Sequence, residues 1–160
     1  MSTEEKKNSQ ISLDSEILSP STEKEVSEIV REIYSKQLPI EITGTGTKKG
    51  FGYNLQTAKK LSLSKLSGII DYKKEELYIK VKAGTPIQDI EKILDENNQE
   101  LAFEPIDFGY MINGQSNKGT IGGYVACNFA GSRRFKVGSV RDHILGCLLY
   151  TSPSPRDVSL

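Results

Sequence analysis

The sequence predicts an α+β fold, on three observations. Apolar residues recur at helical spacing in two stretches, near 22–36 and near 86–97. Around them, short runs alternate apolar and polar residues with period two, the mark of half-buried strands. The order is helix, strand, glycine loop, strands, helix and a long glycine-rich segment, not the strict alternation of a doubly wound sheet.

Residues 1 to about 20 are polar and lack a hydrophobic period, so a disordered or loosely docked tail is expected there. Thr22 and Glu25 then have the spacing of a capping box. Val26, Ile29, Val30, Ile33 and Tyr34 form one stripe, which predicts a helix over about 22–36. Pro39 ends it, and Ile40 and Ile42 alternate with Glu41 and Thr43 in a short strand. Leu61 and Leu63 alternate with serines, and Gly68-Ile69-Ile70-Asp71-Tyr72 reads as another strand. Leu77, Ile79, Val81 and Ala83 alternate with Tyr78, Lys80 and Lys82, the clearest strand pattern in the chain. Thr85 and Gln88 repeat the capping-box spacing, with Pro86 at the first helical position. Ile87, Ile90, Ile93 and Leu94 give a helix over about 86–97, ended by Asn97-Asn98-Gln99. Leu101-Ala102-Phe103 reads as a short buried strand, and Glu104 to Gly119 as loop.

The 160 residues make one domain, or one domain with tails. Lys and Arg total 21, as do Asp and Glu, so the net charge is zero and no nucleic-acid partner is expected. Hydrophobic residues are 36%, low enough to predict that part of the chain is not core. No apolar run approaches the ~20 residues of a membrane span. No apolar stretch follows Met1-Ser2-Thr3-Glu4-Glu5-Lys6-Lys7 as in a secretory signal, so a soluble cytoplasmic protein is expected. Cys127 and Cys147 make neither a disulfide framework nor a zinc set. His143, the single histidine, argues against a histidine-rich metal site and a Ser-His-Asp triad; no metal is expected.

Of the 14 glycines, none precedes Gly44; four lie between Gly44 and Gly52, and eight between Gly109 and Gly146. Glycine clusters mark sharp turns or close approach, and two separated clusters predict two loops converging on one ligand. In the first, Thr43-Gly44-Thr45-Gly46-Thr47-Lys48, glycines bring consecutive N–H groups within reach of a phosphate. Thr45 and Thr47 add hydroxyls and Lys48 adds charge. The segment fits neither a Walker A loop nor the Rossmann pattern, and an ordinary strand-to-strand turn is the competing reading. In the second, Gly119-Thr120-Ile121-Gly122-Gly123-Tyr124-Val125-Ala126-Cys127-Asn128, a glycine turn enters a short helix ended by Asn128 and Gly131. An anion site at the helix start and a buried helix packing closely through glycine are equal alternatives. Arg133, Arg134 and Lys136 with Gly138, Arg141 and Asp142 make a basic stretch, suited to a pyrophosphate or simply a solvated surface. Asp107, between Pro105 and Gly109, is placed to touch a cofactor or, more cheaply, to form a turn. Cys127 reads as a small core residue and His143 as structural.

Together these residues resemble the FAD-binding domain of the vanillyl-alcohol-oxidase-like (PCMH-type) flavoproteins, within them the FAD-binding subunits of glycolate oxidase complexes. The segments that carry the resemblance are Pro39 to Gly44, Gly68 to Tyr72, Glu76-Leu77, Ala83-Gly84-Thr85-Pro86, Phe103-Glu104-Pro105, Thr120 to Ala126, Ala130 to Arg134 and Gly138 to Gly146. Ile106 and Ser132 stand where the family usually has proline, and Tyr110 to Lys118 is longer than the typical loop. The resemblance implies FAD clamped between two small α+β subdomains, the second incomplete here. Thr43 to Thr47 would hold the pyrophosphate, and Thr120, Ile121, Gly122 and Gly123 the flavin side, with Asn128 nearby. No histidine lies in either glycine loop, so non-covalent FAD is expected. The resemblance further implies a small 2-hydroxy acid substrate, glycolate in this family. It implies partner subunits too, a second flavoprotein and an iron–sulfur protein, with peripheral attachment to the inner membrane through them. A non-catalytic FAD-binding assembly module, or an inactive fragment, is the alternative.

The pattern covers residues 21–146 and stops at Gly146. Cys147-Leu148-Leu149-Tyr150-Thr151-Ser152 matches the translation of a transposase adapter used in sequencing libraries. Residues 147–160 are therefore expected to be a non-native tail on a truncated domain, with apolar surface and strand edges left uncovered; a genuine divergent tail is the alternative. Re-sequencing the locus tests this.

Overall fold

The computed structural model describes residues 17–50, 57 and 59–148. Helices and strands are mixed as expected. Strand β1 (Ile17–Leu18) leads into helix α1 (Glu23–Ser35), then strands β2 (Glu41–Thr43) and β3 (Lys60–Ser62). β3 lies at the centre of a parallel sheet with β1 on one side and β2 on the other. β4 (Ile69–Lys73) and β5 (Tyr78–Val81) form a separate antiparallel pair. Helix α2 (Ile87–Asp95), α3 (Phe108–Asn113), α4 (Ile121–Cys127), α5 (Arg134–Val137) and a 3₁₀ turn (Val140–His143) follow.

α1 starts where the capping box places it. Thr22 accepts a hydrogen bond from Glu25 N–H at 3.2 Å, and the Glu25 carboxylate reaches back to Ser21 N–H at 2.8 Å. Its stripe buries Val26, Ile29 and Ile33. Ile29 and Ile33 pack on Leu18 and Leu61 of the parallel sheet, one of two apolar centres. Thr22→Ala is expected to cost about 1 kcal/mol of stability, read as a lower urea midpoint with unchanged slope; a cost near zero would discount the cap.

The second centre gathers Ile87, Phe103, Phe108, Tyr124 and Val140. The turn at 82–85 joins the two halves. Gly84 N–H donates to Leu66 O at 2.8 Å, while Gly122 and Ile121 N–H donate to the carbonyls of Ala83 and Thr85.

Four expectations are corrected. The expected tail does not extend to residue 20, because Ile17 and Leu18 pair with β3 and Leu18 is wholly buried; residues 1–16 lie outside the described residues. Thr85 does not cap α2. Its hydroxyl donates to Lys82 O at 2.6 Å and accepts from Gly68 N–H at 3.0 Å. Ile87 N–H is satisfied instead by Gly119 O at 2.9 Å. Leu101-Ala102-Phe103 forms a turn rather than a strand, although Phe103 is buried. Part of the expected loop 104–119 is helix α3. The expected foreign segment lies outside the described residues from 149 onward, and Cys147 and Leu148 are exposed.

Candidate functional site

The two glycine-rich segments meet. β2 delivers the chain at Thr43 into the loop Gly44 to Lys48, which Gly46 turns with φ +76°. A Cβ on Gly44 would lie 2.4 Å from Thr120 Oγ1. A Cβ on Gly119 would lie 2.6 Å from Thr47 Oγ1 and 3.2 Å from Lys48 Nζ. Only glycine lets these backbones approach so closely.

The walls of this cradle present donors. The N–H groups of Gly44, Thr45, Gly46, Thr47 and Lys48 have no acceptor among the described residues. Thr47 and Thr120 are 8% and 4% exposed, and neither hydroxyl has a partner among the described residues. Lys48 Nζ lies 3.9 Å from the centre of the Tyr124 ring and 5.3 Å from that of Phe108. No carboxylate among the described residues pairs with it, whereas Lys49 pairs with Glu41 and Lys118 with Glu91. Burial pulls the Lys48 pKa below the ordinary lysine value, with Cys127 acting the other way. Burial likewise pushes the Tyr124 phenol upward, and its hydroxyl donates to Ile106 O.

Buried polar groups in folded proteins are paired, and desolvated charges more strictly so. Two orphaned hydroxyls, a half-buried ammonium and a run of open amides therefore fit a ligand rich in acceptor oxygens and negative charge. A diphosphate has both.

The family profile described as FAD binding domain matches residues 15–154. The chain belongs to this family, and FAD is its cofactor. It is 36% identical over 124 residues to the glycolate oxidase subunit GlcE of Escherichia coli (strain K12), covering 78% of this chain and 33% of that protein. It is 29% identical over 121 residues to a D-lactate dehydrogenase of Anaerostipes hadrus, covering 75% of this chain and 24% of that one. The chain thus spans a third or less of the curated relatives it matches. Two structures of alkyldihydroxyacetonephosphate synthase share the fold, at TM-scores of 0.58 and 0.60 and 19% and 18% identity. They align with 79% and 81% of this chain, and with 23% of theirs.

Within this FAD-binding domain the expected site residues separate. Thr43 to Lys48 and Gly119 to Gly123 come together. Inside the second segment, Ile121 and Gly122 have their N–H groups committed to Thr85 O and Ala83 O. A Cβ on Gly122 would lie 2.8 Å from Ala83 O, so this glycine serves close packing. Gly123 differs. Its N–H has no acceptor among the described residues, and a Cβ there would look into the cradle, 3.5 Å from Thr120 Oγ1 and 3.7 Å from Lys48 Nζ. Close packing and an open cradle wall thus fall on adjacent residues.

Asp107 takes the turn-forming role. Its carboxylate caps α3 through Tyr110 N–H at 2.9 Å and accepts from Ser116 Oγ at 2.6 Å and Asn117 N–H at 3.0 Å. Asn117 Oδ1 in turn accepts from Gly119 N–H at 2.9 Å, so Asp107 supports the second glycine segment from behind. The Ser116 hydroxyl first, then Tyr110 N–H, holds this carboxyl below the usual range. A group so depressed adds stability above its unfolded pKa and loses it as pH falls through the folded one. The stability gap between wild type and Asp107→Asn should therefore be open at neutral pH and close as pH falls below about 4. Urea midpoints across that range check this; a gap that persists at low pH would remove the carboxylate from the account.

Asn128 and Gly138 are framework. Asn128 ends α4 in the left-handed region, and its Oδ1 accepts from Arg141 N–H at 3.0 Å. Gly138, at φ +89°, leaves room for Asp142, whose carboxylate accepts from Ser139 N–H at 2.7 Å. The basic stretch is partly neutralised, since Arg133 pairs with Glu100 and Glu104. Cys127 is exposed, not core. His143 bonds Val137 O through Nε2 and lies against Phe103, a structural role. Sequence reasoning missed the aromatic seat of Lys48. Tyr124 stood inside the second motif, but nothing in the pattern aims it at Lys48.

Proposed function

We propose that the chain is the FAD-binding part of an oxidoreductase subunit acting on a small 2-hydroxy acid, glycolate first. The observation that carries the reading is the donor-rich cradle between Thr43–Lys48 and Thr120–Gly123. Two relatives support the substrate class, since glycolate and D-lactate are both 2-hydroxy acids. The amides of Gly44 to Lys48, the Lys48 ammonium and the Thr47 and Thr120 hydroxyls bind the diphosphate, and Gly123 leaves the space for it. When bound, the flavin supplies two-electron redox chemistry, while the chain binds and orients it. No described side chain is assigned as acid or base.

Attachment is non-covalent in this reading, because His143 lies outside both glycine segments. The partners are a second flavoprotein subunit and an iron–sulfur subunit. Through them the protein sits peripherally at the inner membrane; no described helix is long and apolar enough to cross one. The test has two stages. Incubation with FAD and desalting should leave a flavin absorbance band on the chain. Adding the partner subunits to the full-length protein should give glycolate-dependent dye reduction. A full-length protein that retains no flavin overturns the reading; retention without turnover reduces it to a cofactor-holding module.

A further inference from the structure

Lys48 stands apart from the other lysines around the cradle. Lys49 and Lys118 each have a carboxylate, at 3.2 and 2.7 Å. Lys48 has none among the described residues, although it is the one that burial desolvates. Its ammonium rests on the face of Tyr124 at 3.9 Å, with Phe108 behind at 5.3 Å. Both rings belong to one aromatic group, Phe108 lying 6.1 Å from Tyr124 and 4.9 Å from Phe129. Tyr124 is wholly buried and its hydroxyl is anchored on Ile106 O, so this seat is fixed. An aromatic face attracts a cation, but by less than a carboxylate contact would. The seat positions the ammonium without neutralising it.

Among the described residues no carboxylate neutralises it, and only Cys127 favours its charged form. Thr47 and Thr120 bring buried hydroxyls, unpartnered among the described residues, to the same space, and a Cβ on Gly119 or Gly123 would lie 3.2 or 3.7 Å from Nζ. We propose that Lys48 is the charge-reading residue of the cofactor site, an ammonium held unpaired on the Tyr124 ring for the doubly charged diphosphate of FAD. This rests on the reading that the two glycine segments hold FAD, and adds which side chain supplies the charge. A consequence is that Lys48 works against the stability of the empty protein. A cation whose charged form is disfavoured on folding lowers stability at neutral pH. The diphosphate relieves that penalty when it binds.

The test compares wild type, Lys48→Met and Lys48→Arg without cofactor and on titration with FAD. Methionine keeps the apolar stem and its contact with the rings but removes the charge. Lys48→Met is expected to raise the melting temperature of the empty protein by about 2 °C. It should weaken FAD binding about tenfold or more and flatten the salt dependence of the dissociation constant, because one screened charge pair is gone. Lys48→Arg should retain FAD binding and its salt dependence better than Lys48→Met. A purely structural cation on Tyr124 would behave differently. Lys48→Met would then melt lower when empty, and that result overturns the proposal. So does wild-type FAD affinity with wild-type salt dependence in Lys48→Met. If wild type itself binds no FAD, the functional reading falls first and takes this proposal with it.

Discussion

Gly84→Ala is expected to destabilise the fold by about 3 kcal/mol or more, a large share of a typical domain's stability. The reason is steric and local. A Cβ on Gly84 would lie 1.9 Å from the backbone oxygen of Leu63 and 2.8 Å from that of Leu66. Neither is the far end of a flexible side chain, so relief requires moving one backbone segment off the other. Gly84 N–H is also bonded to Leu66 O, which ties the same two segments together. Across the turn, Ala83 and Thr85 hold the start of α4 through their carbonyls. Shifting Gly84 therefore loosens the parallel sheet and the second glycine segment together. The measurement is the urea midpoint, with Gly146→Ala as control, since a Cβ there meets nothing within 4 Å. Gly146→Ala should stay within about 0.5 kcal/mol of wild type. A Gly84→Ala protein equally close to wild type would mean that this contact is not the joint between the halves.

The legible parts of the fold are those where one segment carries its own pattern. The α1 stripe of Val26, Ile29 and Ile33 is complete within the helix, and the Thr22 cap needs only residues three apart. The β5 alternation is equally local. β1 has two residues and no period; it is a strand because Leu18 finds Leu61. α3 was missed because Phe108-Gly109-Tyr110-Met111-Ile112 shows no polar face and contains glycine. Its start is set by Asp107, a residue that caps or turns equally well by type alone. Leu101-Ala102-Phe103 failed for the opposite reason. A three-residue apolar run fits a strand, a turn or a helix end, and burial of Phe103 needs none of them in particular.

In the candidate site, glycine spacing was enough to predict that two loops come together, since close approach is a main use of clustered glycine. It was not enough to sort the residues within them. Gly122 and Gly123 are chemically identical neighbours, and only their surroundings separate them. Ala83 O stands against the first, and open cradle against the second. The aromatic seat was illegible because Lys48 and Tyr124 are distant in sequence, and a lysine over a ring leaves no periodic trace. Asp107 lay close to the site in sequence, and its hydrogen bonds reach the second glycine segment through Asn117.

Gly123→Ala should separate binding from folding, and it does so by sign. Alanine is worth up to about 1 kcal/mol over glycine inside a helix, and Gly123 lies within α4. The added methyl meets Thr120 Oγ1 at 3.5 Å and Lys48 Nζ at 3.7 Å, ordinary contact distances. The empty protein should therefore be as stable as wild type or slightly more so. The same methyl occupies the space between the ammonium and the hydroxyl that the diphosphate oxygens need. FAD affinity should fall at least about tenfold, or about 1.4 kcal/mol. Gly122→Ala, one residue earlier, should show the reverse order of effects. Its methyl would lie 2.8 Å from Ala83 O, so loss of stability comes first and any loss of FAD follows from it. Melting curves of the empty proteins and FAD titrations of both variants give the four numbers required. Wild-type FAD affinity in Gly123→Ala would place the diphosphate outside this cradle. Equal destabilisation of both variants would mean that the second glycine, like the first, serves only to pack α4 against the turn at 82–85.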